Sequence, residues 1–246
     1  MIEMSAQASS DSLHFSTPNI HAPVDHIAEW DDRVEGRRID GDPSLLDASY
    51  RLRYQVYCLE RSFLNGADYP SQMEQDEFDR HSIHIGVVNH DGELLATARL
   101  VQPSMVGLPM FRHCQIFPQE TELFCETNRT VEISRLCISR NLKRRGRSAV
   151  IVAMYRALYQ ASKRNGWSHW VVATEPSLQR LVAMFAAPFR AIGPLIDYYG
   201  PVAPYLVDLH AWDDVILSGT RPVLHTFLDG LEPKFRPMPS EAFAFA

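Results

Sequence analysis

The sequence predicts an α/β (α+β) fold: a mixed, mostly antiparallel central sheet flanked by helices on both faces. Three observations predict it. Ile83, Ile85 and Val87 alternate with polar or small residues, as do Leu94, Ala96, Ala98 and Leu100, and Asp91-Gly92 turns the chain between them, which marks a β-hairpin. Two stretches, 45–63 and 149–163, carry apolar residues at helical spacing. Further short strand patterns fall among the helices, and no segment repeats.

In chain order, residues 1–40 are polar and acidic with little periodicity, and read as a loosely ordered arm. A helix is expected to start at Asp42-Pro43-Ser44, where an Asp or Ser cap and a first-turn proline are both favourable. Leu45, Leu52, Val56, Leu59 and Phe63 form its apolar face, and Arg53 and Tyr57, four apart, share another. Residues 65–80 make an acidic loop, followed by the hairpin, on whose second strand Thr97 and Arg99 face away from Leu100. Residues 102–130, with three prolines, are long for a connection and read as a partly structured, functional insert.

Val131 to Ser139 is the most informative strand. Val131 and Ile133 turn the odd positions inward, whereas Leu136 and Ile138 turn the even ones inward. One extra residue, a β-bulge, produces that change of phase, and bulges are common beside active sites. A strand buried on both faces is the other reading. A basic stretch, 140–148, then leads into a helix expected from Ala149 to Lys163 and ended by Asn165-Gly166. A strand at 169–174, a short helix capped by Ser177, strands near 190–198 and 205–210, and a helix near 212–217 complete the pattern. This gives a polar arm at 1–40, one domain at 41–220 and a C-terminal extension at 221–246.

With 246 residues, 46% hydrophobic and 22% charged, the chain is long enough to fold without a metal or disulfide and is not a disordered or fibrous one. No apolar run suits a membrane span, and residues 1–12 lack the features of a signal peptide. Four cysteines without a CxxC pair point to a reduced, cytoplasmic protein. Cys114, Cys125 and Cys137 with His113 fit no common zinc spacing, and His81 and His84 face opposite ways on a strand, so no metal is expected.

The net charge of −6 is unevenly placed. Residues 1–47 hold ten acids against three bases, which is −7, so the remainder sums to about +1. Residues 133–174 contain no acid but do contain Arg135, Arg140, Lys143, Arg144, Arg145, Arg147, Arg156, Lys163 and Arg164. Such a stretch suits an acidic partner; a solvated helix flank is the plainer reading. The negative total and the lack of a recognition helix or stacking platform argue against nucleic acid.

The order strand, bulge, basic glycine loop, helix has a physical use. Loop and helix N-terminus present unpaired N–H groups to a phosphate, while the bulge frees amides to polarise a carbonyl. A phosphopantetheine thioester offers both groups. This resembles the GNAT acyltransferase superfamily, although Lys143 stands where that family has Gln or Arg, and Ser148 where it has a second Gly or Ala. Arg53 and Tyr57, Asp76-Glu-Phe-Asp79, Arg99 and Glu132-Ile-Ser-Arg135 resemble the motifs of acyl-homoserine-lactone (autoinducer) synthases. YRLRYQVYCLE at 50–60, EQDEFDRHSIH at 74–84 and IGPLIDYYGPVAPYLVDL at 192–209 are similar to the N-acyl amino acid synthases, of the PEP-CTERM/exosortase-associated branch. Phe63 stands where autoinducer synthases carry Trp, which, with the 192–209 segment, favours an amino acid acceptor over S-adenosylmethionine.

The resemblance implies a GNAT-like acyl-CoA N-acyltransferase fold and transfer of a fatty acyl chain from acyl carrier protein, or from acyl-CoA, to an amine. No permanently bound cofactor is expected; the thioester is a substrate. Glu132 is the candidate base, with Ser134 and Arg135 beside it, and an ion pair between Glu132 and Arg135 is the structural alternative. Leu136, Lys143, Arg144, Arg145, Gly146, Arg147 and Ser148 are the expected donor-binding residues. Arg53, Tyr57, Phe63, Asp76, Phe78, Asp79 and Arg99 are expected at the acceptor side. Their two acids and two arginines serve either as a mutually paired scaffold or in recognising the amino acid. Autoinducer synthesis, acyl-CoA-dependent acetyl transfer and a silent acyl-carrier or lipid-binding domain are the alternatives.

Overall fold

The computed structural model describes residues 33–121, 129–142, 144–175, 178, 183–198 and 200–238. Its strands are β1 (Val34–Arg38), β2 (Ser82–Asn89), β3 (Leu94–Val101), β4 (Thr130–Ile138), β5 (His169–Thr174), β6 (Phe189–Ala191), β7 (Ile196–Asp197) and β8 (Pro201–Asp208). They form one sheet in the order β1-β2-β3-β4-β5-β8-β6, with β7 added on β8. Every pairing is antiparallel except β4 with β5. The helices are α1 (Pro43–Tyr54), α2 (Met110–His113), α3 (Arg144–Arg164), α4 (Leu209–Ser218) and α5 (Pro222–Asp229).

The expected hairpin is present, with Gly92 at φ 78° in the turn between β2 and β3. The expected cap of α1 is present too: the Asp42 carboxylate accepts from the N–H groups of Ser44 and Leu45, both at 3.1 Å, and Pro43 opens the helix. The expected apolar stripe fails at its far end. Gln55–Glu60 is a π-helical turn, whose extra residue per turn rotates the following side chains. Cys58 is buried as a result, and Leu59 is 56% exposed.

Helix α3 is buried almost all round, from Ala149 through Tyr159, because it lies between the sheet and α4 and α5. Trp170, Trp212, Phe185 and Phe227 pack there with ring centroids 5.3–6.4 Å apart. Gly36 of β1 is required by that packing: a Cβ would fall inside the Ala153 carbonyl of α3. The opposite face carries a smaller core of Phe78, Val101, Leu108, Met110, Val171, Ile192 and Leu206.

Several boundaries differ from those expected. Val34–Arg38 pairs with β2 and Ile39 is buried, within the stretch read as an arm. As an edge strand reading VEGRR it has too little alternation to be seen. Helix α3 begins at Arg144 rather than Ala149, so the basic residues form its first turn; Arg and Ser are tolerated helix residues and a first-turn Gly costs little. The stretch expected as a strand to His210 ends at Asp208, whose side chain caps α4. Pro222–Asp229 is a helix with Leu224 and Phe227 in the main core, within the stretch read as an extension. Residues 1–32, Cys125, Lys143 and the expected cap at Ser177 lie outside the described residues, as do the side chains of Arg144 and Arg145. No described helix is long and apolar enough to cross a membrane.

Candidate active site

The site is built around the place where β4 leaves the ladder. Thr97 pairs with Cys137 and Arg99 with Ser134, so Arg135 and Leu136 together face the single residue Ala98. Arg135 has φ 53°, the left-handed conformation of a bulge residue. The expected bulge is therefore present, and with it the change of phase. Val131 and Ile133 before it, and Leu136 and Ile138 after it, all pack toward the α3 core. The cost is a left-handed arginine, which the side chain's own contacts hold in place.

Beyond the bulge the sheet splits. The parallel pairing of β4 and β5 covers only Thr130–His169, Val131–Trp170 and Glu132–Val171. A cleft of about 460 Å³ lies where the strands part. Ser134, Leu136, Cys137 and Ile138 line one side, and Val172, Ala173 and Thr174 the other. The π-turn supplies Val56, Tyr57 and Glu60, with Phe63 and Leu64 just beyond it, and the insert supplies Met110, His113 and Cys114. Gly193 lets the 192–195 segment pass against the insert, since a Cβ would meet the Gln115 carbonyl. That approach brings Tyr198 and His113 into a stack at 4.3 Å.

Glu132 points into this cleft and is 3% exposed. The Met110 N–H donates to its carboxylate at 2.8 Å. Burial pushes the Glu132 carboxyl up to about 8, against the downward pull of that N–H and of the Arg99 and Arg135 charges. It makes no ion pair with Arg135, whose guanidinium instead reaches Glu74 at 3.2 Å and Asp76 at 3.1 Å. The alternative reading of Glu132 as half of an Arg135 pair is thereby corrected.

Arg53, Asp76, Asp79 and Arg99 do meet, in a buried network larger than the sequence suggests. Arg53 forks onto Asp79 at 2.6 and 3.0 Å and donates to Glu74 at 2.5 Å. Arg99 donates to Asp76 at 2.6 and 2.8 Å and to Asp79 at 2.7 Å, and its Nε donates to Ser134 Oγ at 2.9 Å. With Arg135, three guanidiniums face three carboxylates. His84 extends the network: Nδ1 lies 2.9 Å from Asp40 and Nε2 3.1 Å from Asp79. A neutral imidazole donates from only one nitrogen, so two carboxylates hold the ring doubly protonated. Burial would lower the His84 pKa, but the hydrogen bonds to Asp40 and Asp79 prevail and raise it. Burial likewise pushes the Asp79 carboxyl up, yet His84, Arg53 and Arg99 hold it far below the usual carboxylate range.

The remaining expected residues divide. Tyr57 and Phe63 line the cleft with rings 6.2 Å apart, and Arg135 lies 5.3 Å over Tyr57. Phe78 is buried outside it, beneath Arg99 and Arg112. Arg147 lines the cleft, and its Nε is buried without a partner among the described residues. Gly146 and Ser148 lie in the first turns of α3, Gly146 buried. The sequence assigned no site role to Glu74, Asp40 or the pairs Glu60–Arg140 and Arg61–Glu175, although Glu60 and Glu74 both stand in quoted motifs. Among the described residues no group of His, Cys, Asp and Glu is placed to hold a metal.

Comparison with known proteins fits this geometry. Residues 52–153 match the acetyltransferase (GNAT) domain family. The fold is GNAT-like. The CoA-dependent acyl-homoserine lactone synthase BjaI, solved with SAM and isopentyl-CoA, superposes with a TM-score of 0.57 at 17% identity, over 85% of this chain and 90% of its own. FeeM, an N-acyl amino acid synthase from uncultured soil microbes, gives 0.53 at 18% identity, over 74% and 94%. The AHL synthase LasI gives 0.53 at 20%, over 72% and 89%. The matched domain family and these three neighbours are acyltransferases. No curated protein sequence matches the chain.

Proposed function

We propose that this chain is an N-acyltransferase that moves a fatty acyl group from the thioester of acyl carrier protein to the amine of an amino acid. The observation that carries the reading is Glu132: a buried carboxyl with a raised pKa, at the fork of a split sheet, beside a bulge and inside an apolar cleft. A carboxyl tuned toward neutrality suits removal of a proton from an ammonium.

In this reading the amine nitrogen, having given its proton to Glu132, attacks the thioester carbonyl carbon. The carbonyl electrons move to oxygen, which the bulge amides at Arg135 and Leu136 stabilise. Collapse re-forms the carbonyl, breaks the carbon–sulfur bond and moves the surplus proton of the attacking nitrogen to the departing sulfur, so that pantetheine leaves as its thiol. Arg147 and the first-turn N–H groups of α3, around Gly146, suit the donor phosphate. The basic stretch 140–147 suits the acidic carrier. The three guanidiniums of the network act as a scaffold, because Glu74, Asp76 and Asp79 already balance them. The likeness of 50–60, 74–84 and 192–209 to the PEP-CTERM/exosortase-associated branch, and the occurrence of FeeM among the structural neighbours, support an amino acid acceptor.

Mass spectrometry of lipids from cells expressing the protein tests this. N-acyl amino acids that appear with the wild type and not with Glu132→Gln are expected. A lactone formed from S-adenosylmethionine, or turnover with acyl-CoA and none with the carrier, would overturn the assigned acceptor or donor respectively.

A further inference from the structure

The chain is held very differently before and after the C-terminal end of helix α1. Arg53 is 1% exposed and locked to Glu74 and Asp79, which are themselves buried. Past it the chain enters the π-turn, a wider and weaker hydrogen-bonded form. Ser62, just beyond, sits at φ 52°, a conformation that a non-glycine residue adopts only when its surroundings hold it there. Between these points stand Glu60 and Arg61. Glu60 pairs with Arg140 at 2.5 Å, and Arg61 pairs with Glu175. Arg140 follows the end of β4 and Glu175 follows the end of β5, the two strands that part. All four side chains line the cleft.

We propose that Glu60 and Arg61 form a two-armed clasp, one arm to each side of the split sheet, that closes the mouth of the cleft and opens to admit the acyl donor. Only the identity of what enters rests on the function proposed above. The pairs are partly exposed, with Arg140 at 64% and Glu175 at 27%. Ion pairs of this kind are weak and screened by salt, which suits a contact that breaks at each turnover. The buried network behind them gives the turn a fixed base to swing from. Opening lifts Tyr57, on the π-turn, away from Cys137, with which it shares the cleft wall.

Cys137 is 2% exposed and therefore reports on opening. Alkylation by N-ethylmaleimide, resolved by peptide mass spectrometry, is compared in wild type, Arg61→Glu, Glu175→Arg and the double reversal. Each single reversal is expected to speed labelling of Cys137 by about tenfold or more, and the double to return it to within about twofold of wild type, because labelling tracks the open fraction. Hydrogen exchange at the amides of β2, which is not part of the cleft lining, is the internal reference and stays unchanged. Unaltered Cys137 labelling in the single variants, or faster exchange in β2 to match it, would overturn the clasp. Should a reversal fail to fold, Arg61→Gln and the wild type in about 0.5 M salt give the same comparison, with faster Cys137 labelling and unchanged β2 exchange again expected. The labelling needs no turnover, so a protein without the proposed activity still answers the question.

Discussion

Replacing Glu132 by Gln separates chemistry from stability. In the folded chain the carboxyl titrates at about 8, against 4.5 when unperturbed. Holding it ionised in the native state therefore costs on the order of 5 kcal/mol, an upper figure. The native state keeps the proton more tightly than the unfolded chain. The penalty is absent below about pH 4.5, grows across the interval to about 8 and is complete above it. Gln cannot ionise, and its amide oxygen can still accept from the Met110 N–H. Urea denaturation should show the variant close to wild type near pH 4.5 and more stable at pH 9, by as much as about 5 kcal/mol. Turnover should fall by about 10²- to 10⁴-fold, as for loss of a general base. In the wild type kcat/KM should climb with pH through about 8. Glu132 is not the base if kcat stays within about twofold of wild type, and it is not a buried, unpaired carboxyl if the variant is the less stable protein at pH 9, as loss of a structural ion pair would make it.

Asp79→Asn leaves Arg53 and Arg99, each 1% exposed, short of a charge partner, and should cost about 3–5 kcal/mol in urea denaturation; a loss below about 1 kcal/mol would mean that the network is not tightly coupled. His84→Gln should be destabilising at pH 6. The stability that His84 contributes is complete below its unfolded value of 6.5 and is lost as pH rises through its raised folded value, so the gap to the parent should narrow by pH 9. Measuring it in the Glu132→Gln background keeps the other titration silent, and a gap that does not change with pH would count against a protonated His84. Arg144→Glu with Arg145→Glu should raise the KM for acyl carrier protein, more so at low salt; equal KM values would remove the basic stretch from docking.

The features legible in the sequence are those with a local cause. The bulge could be read because apolar parity switches between Ile133 and Leu136. The α1 cap and the Gly92 turn could be read because an Asp side chain caps free N–H groups, Pro fixes φ for a first turn, and Gly takes a positive φ without strain. The meeting of Arg53, Asp76, Asp79 and Arg99 followed from the resemblance and from the cost of burying any one of them unpaired. What was hidden depends on tertiary contact. Nothing in QVYCLE distinguishes a π-turn from an α-turn; the network anchoring Arg53 and the cleft wall around Tyr57 decide it. Arg135 chose Glu74 over Glu132 because its left-handed backbone turns the side chain toward the 65–80 loop. β1 escaped notice because Gly36 and three charged residues leave Val34 as its one apolar position.

The split sheet also has a mechanical meaning. Strands β1 to β4 make one leaf and β5 to β8 another, bound edge to edge by a spine of three residue pairs and bridged underneath by α3. A slip of one residue along that spine would exchange Glu132 with Val131 or Ile133, turning a carboxyl into the hydrocarbon beneath and an aliphatic side chain toward the cleft. Val131 and Trp170, facing each other at the middle of the spine and both at 0% exposure, forbid the slip by filling the core. Alignment of the two leaves is thus entrusted to an apolar peg one residue from Glu132.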